Sequence, residues 1–92
     1  MKYKVTVVPE VKSFLRSLNE KNRRIVVDNL RKLQDPHPGS GIGDKEKLPV
    51  DGEMIYRLHI GRTWTAFYII MKEEARVIEV LPIDEAHQKY GY

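Results

Sequence analysis

The stretch "MIYRLHIGRTWTAFYIIMKEEARVIEVLP", residues 54–82, reads as three β-strands in succession. Its runs 54–60, 63–71 and 75–82 are rich in β-branched and aromatic residues, and "IGRT" and "KEEA" between them are short enough to be tight turns. Strands joined so closely must run antiparallel. A period of two splits the first run: Met54, Tyr56, Leu58 and Ile60 share one face, and Ile55, Arg57 and His59 share the other. The second run is apolar on both faces, with Trp64, Ala66, Tyr68 and Ile70 on one and Thr65, Phe67, Ile69 and Met71 on the other. That pattern belongs to a central strand covered on both sides, by the chain's own tail or by a partner. Trp64 and Tyr68 are accordingly read as core and not as platforms for base stacking.

Upstream, "KYKVTVV" alternates as a first strand over residues 2–8, and Pro9 suits the first turn of a helix. Val11, Phe14, Leu15 and Leu18 follow at i, i+3, i+4 and i+7, one face of that helix. Asn19 caps a second helix from residue 20 to about 34, with Ile25, Val26, Leu30 and Leu33 as its apolar stripe. Asn29 interrupts the stripe and is either buried with a partner or set against something other than the core. Arg24, Asp28 and Lys32, spaced i, i+4, i+8, read as a solvated charged face. Two prolines and three glycines in "DPHPGSGIGD", residues 35–44, make a loop with none of the sequence context of a phosphate-binding loop, and His37 within it lacks a neighbouring ligand. "EKLPVDGE" is read as a short connection, and the tail "DEAHQKYGY" as a short helical turn.

The expected architecture is therefore α+β in the order β-α-α-β-β-β: an N-terminal strand, a helical hairpin on one face of a twisted sheet, then an antiparallel three-stranded meander and a helical tail. Ninety-two residues allow one domain, 1–92, with one modest core, so function must sit on a groove or an exposed face. A net charge of +3 is compatible with a polyanionic partner. There is no cysteine for thiol chemistry or disulfides. The first residues resemble no signal peptide, and no apolar run approaches the roughly 20 residues of a membrane span. These features are those expected of a soluble cytoplasmic protein with no membrane partner.

Arg57 and His59 fall together on the sheet face that the helical hairpin leaves open. In the tail, His87, Lys89, Tyr90 and Tyr92 place an imidazole, an ammonium and two phenols within six residues. If the tail folds back over the open face, these groups converge with Arg57, His59 and Arg62. Cations with proton-transfer groups are what cleavage of RNA by its own 2′-hydroxyl needs, without any cofactor. The three histidines are far apart and lack acidic neighbours at ligand spacing, so no metal site is expected.

The order of elements, together with "KLP", "YRLHIG", "TWTAFYII" and the terminal "HQKY", resembles the RelE/ParE toxin superfamily over nearly the whole chain. The resemblance implies a toxin of a type II toxin–antitoxin system, held inactive by a cognate antitoxin and contacting operator DNA only through that complex. It implies an endoribonuclease, an mRNA interferase that cuts mRNA at the ribosome, inhibits translation and needs no metal or other cofactor. By position, Arg57 and His59 match the family's paired basic positions, and His87, Lys89 and Tyr90 resemble its C-terminal proton-transfer residues; Arg57, His59, His87 and Tyr90 are thus expected to be catalytic, and Arg62, Thr65, Lys89 and Tyr92 to bind RNA. Thr65 stands where the family commonly has an arginine, and a threonine cannot carry charge to a phosphate. Arg62 in the preceding turn is the candidate substitute. ParE-like members share the fold but inhibit DNA gyrase, and a degenerate member would only bind its antitoxin or act as co-repressor; both alternatives stay open here.

Overall fold

The computed structural model describes residues 2–39 and 44–90. Their element order is β1 (Lys4–Val7), α1 (Pro9–Ser17), α2 (Glu20–Leu30), a 3₁₀ turn (Arg31–Gln34), β2 (Lys45–Val50), β3 (Glu53–Ile60), β4 (Trp64–Met71), β5 (Glu74–Pro82) and α3 (Ile83–Tyr90). The strands form one mixed sheet in the order β1-β5-β4-β3-β2. β3, β4 and β5 are the antiparallel meander, and β1 joins parallel to β5. The expectation of a three-stranded meander joined by a first strand is corrected to a five-stranded mixed sheet, because residues 45–50, which overlap the stretch 46–53 read as a connection, are a strand paired antiparallel with β3.

The missed strand has a local cause. Asp51 and Gly52 both take positive φ, 49° and 80°, as the two central residues of a tight hairpin turn do when their twist matches that of the flanking strands. That Asp-Gly pair sets the register Val50↔Glu53 and, from it, Glu46↔Arg57. Pro49 is tolerated because β2 is an edge strand with one side unpaired.

The helical hairpin forms as its apolar spacing requires. Pro9 occupies the first turn of α1, and Asn19 accepts a hydrogen bond from the Asn22 amide at 2.8 Å as the cap of α2. Arg23 joins the two helices by donating to the carbonyls of Leu15, Arg16 and Leu18, which supplies donors to oxygens at the end of α1. α2 stops at Leu30 and tightens into the 3₁₀ turn, not continuing as regular helix to residue 34; this carries Leu33 into full burial ahead of Pro36. Ile25, placed in the apolar stripe by its spacing, is exposed. Asn29 donates its amide to the Ile25 carbonyl and lies at the surface. The charged face of Arg24, Asp28 and Lys32 is solvated, with Arg24 paired to Glu20, Asp28 to Arg31 of the 3₁₀ turn and Lys32 to Asp44, not to one another.

Two apolar clusters sandwich the sheet. On the hairpin side Val11, Val26, Leu30 and Leu33 pack on Leu58, Ile60, Ala66, Tyr68, Ala75, Val77 and Val80. Trp64 packs against this cluster edge to face with Phe14, and Tyr68 is fully buried, so both aromatics are core as expected. The Tyr68 hydroxyl donates to the Pro36 carbonyl at 2.6 Å, tying the sheet to the loop after α2. On the other side Leu48, Ile55, Phe67 and Ala86 form a second cluster, closed by Tyr90 of α3. The tail does fold back over the face that the hairpin leaves open, and β4 is covered on both sides. Met54 has the parity of the hairpin face but lies at its margin, exposed. No helix among the described residues is long and apolar enough to cross a membrane. Tyr92 and residues 40–43 of the loop lie outside the described residues.

Candidate functional site

On the α3 side of the sheet, one row of side chains runs across four strands: Glu46 on β2, Arg57 on β3, Phe67 on β4 and Glu79 on β5. The neighbouring row places His59 opposite Thr65, and Thr65 opposite Leu81. Each member gets its place from strand parity, with one exception at Glu79. Between β4 and β5 the register slips at Phe67 and Tyr68, which face Glu79 and Val77 respectively and leave Ile78 as the extra residue of a β-bulge. The bulge lets Val77 and Val80 both enter the hairpin-side core while Glu79 stays on the α3 side.

A carboxylate anchors each end of the row. Glu46 pairs with the Arg57 guanidinium through one oxygen and with His59 Nε2 at 3.3 Å through the other. Arg57 is nearly enclosed, its side chain 10% exposed, whereas Glu46 and His59 remain reachable at 42% and 36%. Desolvation acts to raise the Glu46 carboxyl, but the hydrogen bond with His59 and the charge and hydrogen bond of Arg57 together outweigh it. The carboxyl lies below its ordinary range and is ionised at neutral pH. The His59 amide donates to the Asp44 carbonyl at 2.8 Å, which fixes the backbone beneath the ring.

At the other end Glu79 accepts from Lys89 Nζ at 2.7 Å and from the Tyr90 hydroxyl at 2.6 Å. The Tyr90 ring packs on Phe67, centroids 4.2 Å apart, so α3 sets Tyr90 over the residue next to Arg57 in the row. Burial first, then the hydrogen bond to Glu79 and its negative charge, push the Tyr90 phenol well above its usual range. Tyr90 is protonated at neutral pH and donates to Glu79.

Of the residues singled out from sequence, the structure joins Arg57 and His59 through Glu46 at one end of the row and Lys89 and Tyr90 through Glu79 at the other. Thr65 shares their face but is buried at 2% exposure, beneath the surface that a ligand would meet. Arg62 is exposed in the turn between β3 and β4 and makes no ion pair among the described residues. His87 is exposed on α3, while Ala86 and Tyr90, four apart, take the positions against the sheet. Sequence reasoning missed Glu46 and Glu79. The Asp51-Gly52 pair carried a signal for Glu46, since a two-residue hairpin turn counts it onto Arg57; nothing local announced the bulge that exposes Glu79. Among the described residues no three His, Asp or Glu side chains are grouped to hold a metal ion.

No family model matches the chain, and no curated protein matches it in sequence. Solved structures do match in fold. A chain of the archaeal RelE–RelB complex from Pyrococcus horikoshii superposes with a TM-score of 0.70 at 23% identity, covering 89% of this chain and 96% of that one. The conserved hypothetical protein HP0894 of Helicobacter pylori gives 0.59 at 16% identity, with 91% and 97% covered. A mutant of the Escherichia coli toxin RelE in its free state gives 0.55 at 15% identity, with 99% and 96% covered. The chain has the RelE-like toxin fold.

Proposed function

We propose that this protein is the toxin of a type II toxin–antitoxin pair and a metal-independent endoribonuclease that cuts mRNA at the ribosome in the cytoplasm. The observation that carries the reading is the row Glu46–Arg57–Phe67–Glu79, which sets a carboxylate on a buried guanidinium at one end and the Tyr90 phenol, its ring on Phe67 and its hydroxyl on Glu79, toward the other. In-line displacement at a phosphate needs a base on one side and a proton donor on the other. Glu46 accepts the proton of the 2′-hydroxyl as that oxygen attacks phosphorus. The bond to the 5′-oxygen breaks, and the departing oxygen takes the proton of Tyr90, leaving a 2′,3′-cyclic phosphate and a 5′-hydroxyl end. Arg57 pairs with Glu46 and sets positive charge beneath the phosphorane, where low dielectric strengthens it. His59 orients Glu46 through Nε2. Arg62 and Lys89, both exposed, contact flanking phosphates; Tyr92 is assigned to the same track by its sequence position. Thr65 contributes packing under the site, and His87 is given no step.

The partners that follow are mRNA, the ribosome and a cognate antitoxin, with operator DNA contacted only through the toxin–antitoxin complex. The test is primer extension on ribosome-bound mRNA with purified protein. Defined cuts by the wild type, lost in Glu46→Gln and Tyr90→Phe, support the reading. Intact mRNA with the wild type would end it. Pulse labelling after induction separates the gyrase-directed alternative, which halts DNA synthesis before protein synthesis.

A further inference from the structure

In a regular β5 the residue two after Val77 would return to the hairpin-side core, and that residue is Glu79. The bulge at Ile78 removes it to the α3 side, where its carboxylate meets the last turn of α3. There it accepts from both Lys89 and Tyr90, the two α3 side chains that the nuclease reading assigns to phosphate. A carboxylate taking two donors presents the same oxygens that a phosphodiester would present to them. The Lys89 ammonium also lies 5.7 Å from the Tyr90 ring centroid, so the two donors form one compact pair. Lys89 is 56% exposed and Glu79 24%, and an ion pair that wet is weak enough for a polyanion to displace.

We propose that Glu79 is an internal competitor for the RNA phosphate, an autoinhibitory contact that holds the donor pair of α3 closed until RNA displaces it. The proposal rests on the nuclease reading for the identity of the displacing ligand, RNA. Before RNA binds, Glu79 keeps Lys89 and Tyr90 occupied. On binding, a backbone phosphate takes over Lys89, and Tyr90 turns its hydroxyl from Glu79 to the departing 5′-oxygen. Glu79 thereby lowers affinity for RNA while keeping α3 seated on Phe67.

The experiment measures binding of a short single-stranded RNA, fully 2′-O-methylated so that it cannot be cut, by fluorescence anisotropy over a series of salt concentrations. Glu79→Gln retains an acceptor for Tyr90 but loses the charge that holds Lys89. It is expected to bind roughly fivefold more tightly at about 0.1 M salt, with a log–log salt slope steeper by about 0.7, one phosphate contact on a single strand. Lys89→Ala is expected to weaken binding less in the wild type than in the Glu79→Gln background, where it removes the whole gain, the signature of coupled residues. Glu79→Ser is measured in parallel, with urea unfolding of every variant, so that a folding defect in one does not decide the outcome. The proposal is overturned if folded Glu79 variants bind no more tightly than the wild type, or if the gain survives Lys89→Ala. A wild type that leaves ribosome-bound mRNA uncut, beside a Glu79→Gln gain that depends on Lys89, would sink the nuclease reading and leave the competitor role of Glu79 standing.

Discussion

Glu46 and Arg57 face each other across the β2–β3 ladder and are joined by an ion pair on the sheet face beneath α3. Neither was assigned to the other from sequence, yet the pair organises the site. One Glu46 oxygen pairs with the nearly enclosed Arg57 guanidinium, and the other takes His59.

Replacement of Glu46 by Gln keeps the size and one hydrogen-bond acceptor but removes the base. Cleavage is expected to fall by about 10²-fold or more, the usual contribution of a positioned general base, with little change in secondary structure by circular dichroism. Activity within a few fold of the wild type would exclude Glu46 from proton transfer.

The same carboxylate links stability to pH. Its folded pKa lies below the ordinary 4.5, so it favours the folded state above that value, and the contribution is lost as pH falls through the depressed folded pKa. Urea unfolding of wild type and Glu46→Gln should differ most at neutral pH and converge under acid conditions. Parallel curves over the whole range would contradict the assignment.

The two histidines should separate. His59, bonded to Glu46, is expected to lose roughly tenfold to a hundredfold in cleavage as His59→Ala, as misplacement of a reacting group does. His87, exposed on α3, should stay within about threefold as His87→Ala. Single-turnover kinetics on a cleaved mRNA would check both.

Gly52 adopts φ of 80° at the turn that counts Glu46 onto Arg57, with open space around its Cα. Gly52→Ala meets no neighbour but must adopt the left-handed region, at a cost of about 1–2 kcal/mol. Both thermal stability and cleavage should drop, since a shifted hairpin also misplaces the base.

Tyr68 donates from the core to the Pro36 carbonyl. Tyr68→Phe leaves that oxygen without its donor and should cost about 1–2 kcal/mol, read as a fall in melting temperature, while cleavage by the folded fraction is unchanged because Tyr68 lies on the hairpin side.

The sequence by itself determined the meander of β3, β4 and β5, the helical hairpin, and the parity that sends Arg57 and His59 to the face away from it. These rest on periods of two and 3.6, which short windows carry. It also marked β4 as covered on both faces. β2 was written in the Asp51-Gly52 pair but obscured by charge and Pro49, because an edge strand need not look apolar when one side meets solvent. What only the tertiary structure decided was the pairing of charges. Glu46 reaches Arg57 through a ladder between residues eleven apart. Glu79 reaches Lys89 and Tyr90 because a bulge defined by the partner strand changes its face, and α3 lies where the apolar surface of Phe67 holds it. Side-chain parity is local, but which cations a carboxylate neutralises depends on register and packing between distant segments, and that changed a row of basic residues into two carboxylate-held pairs.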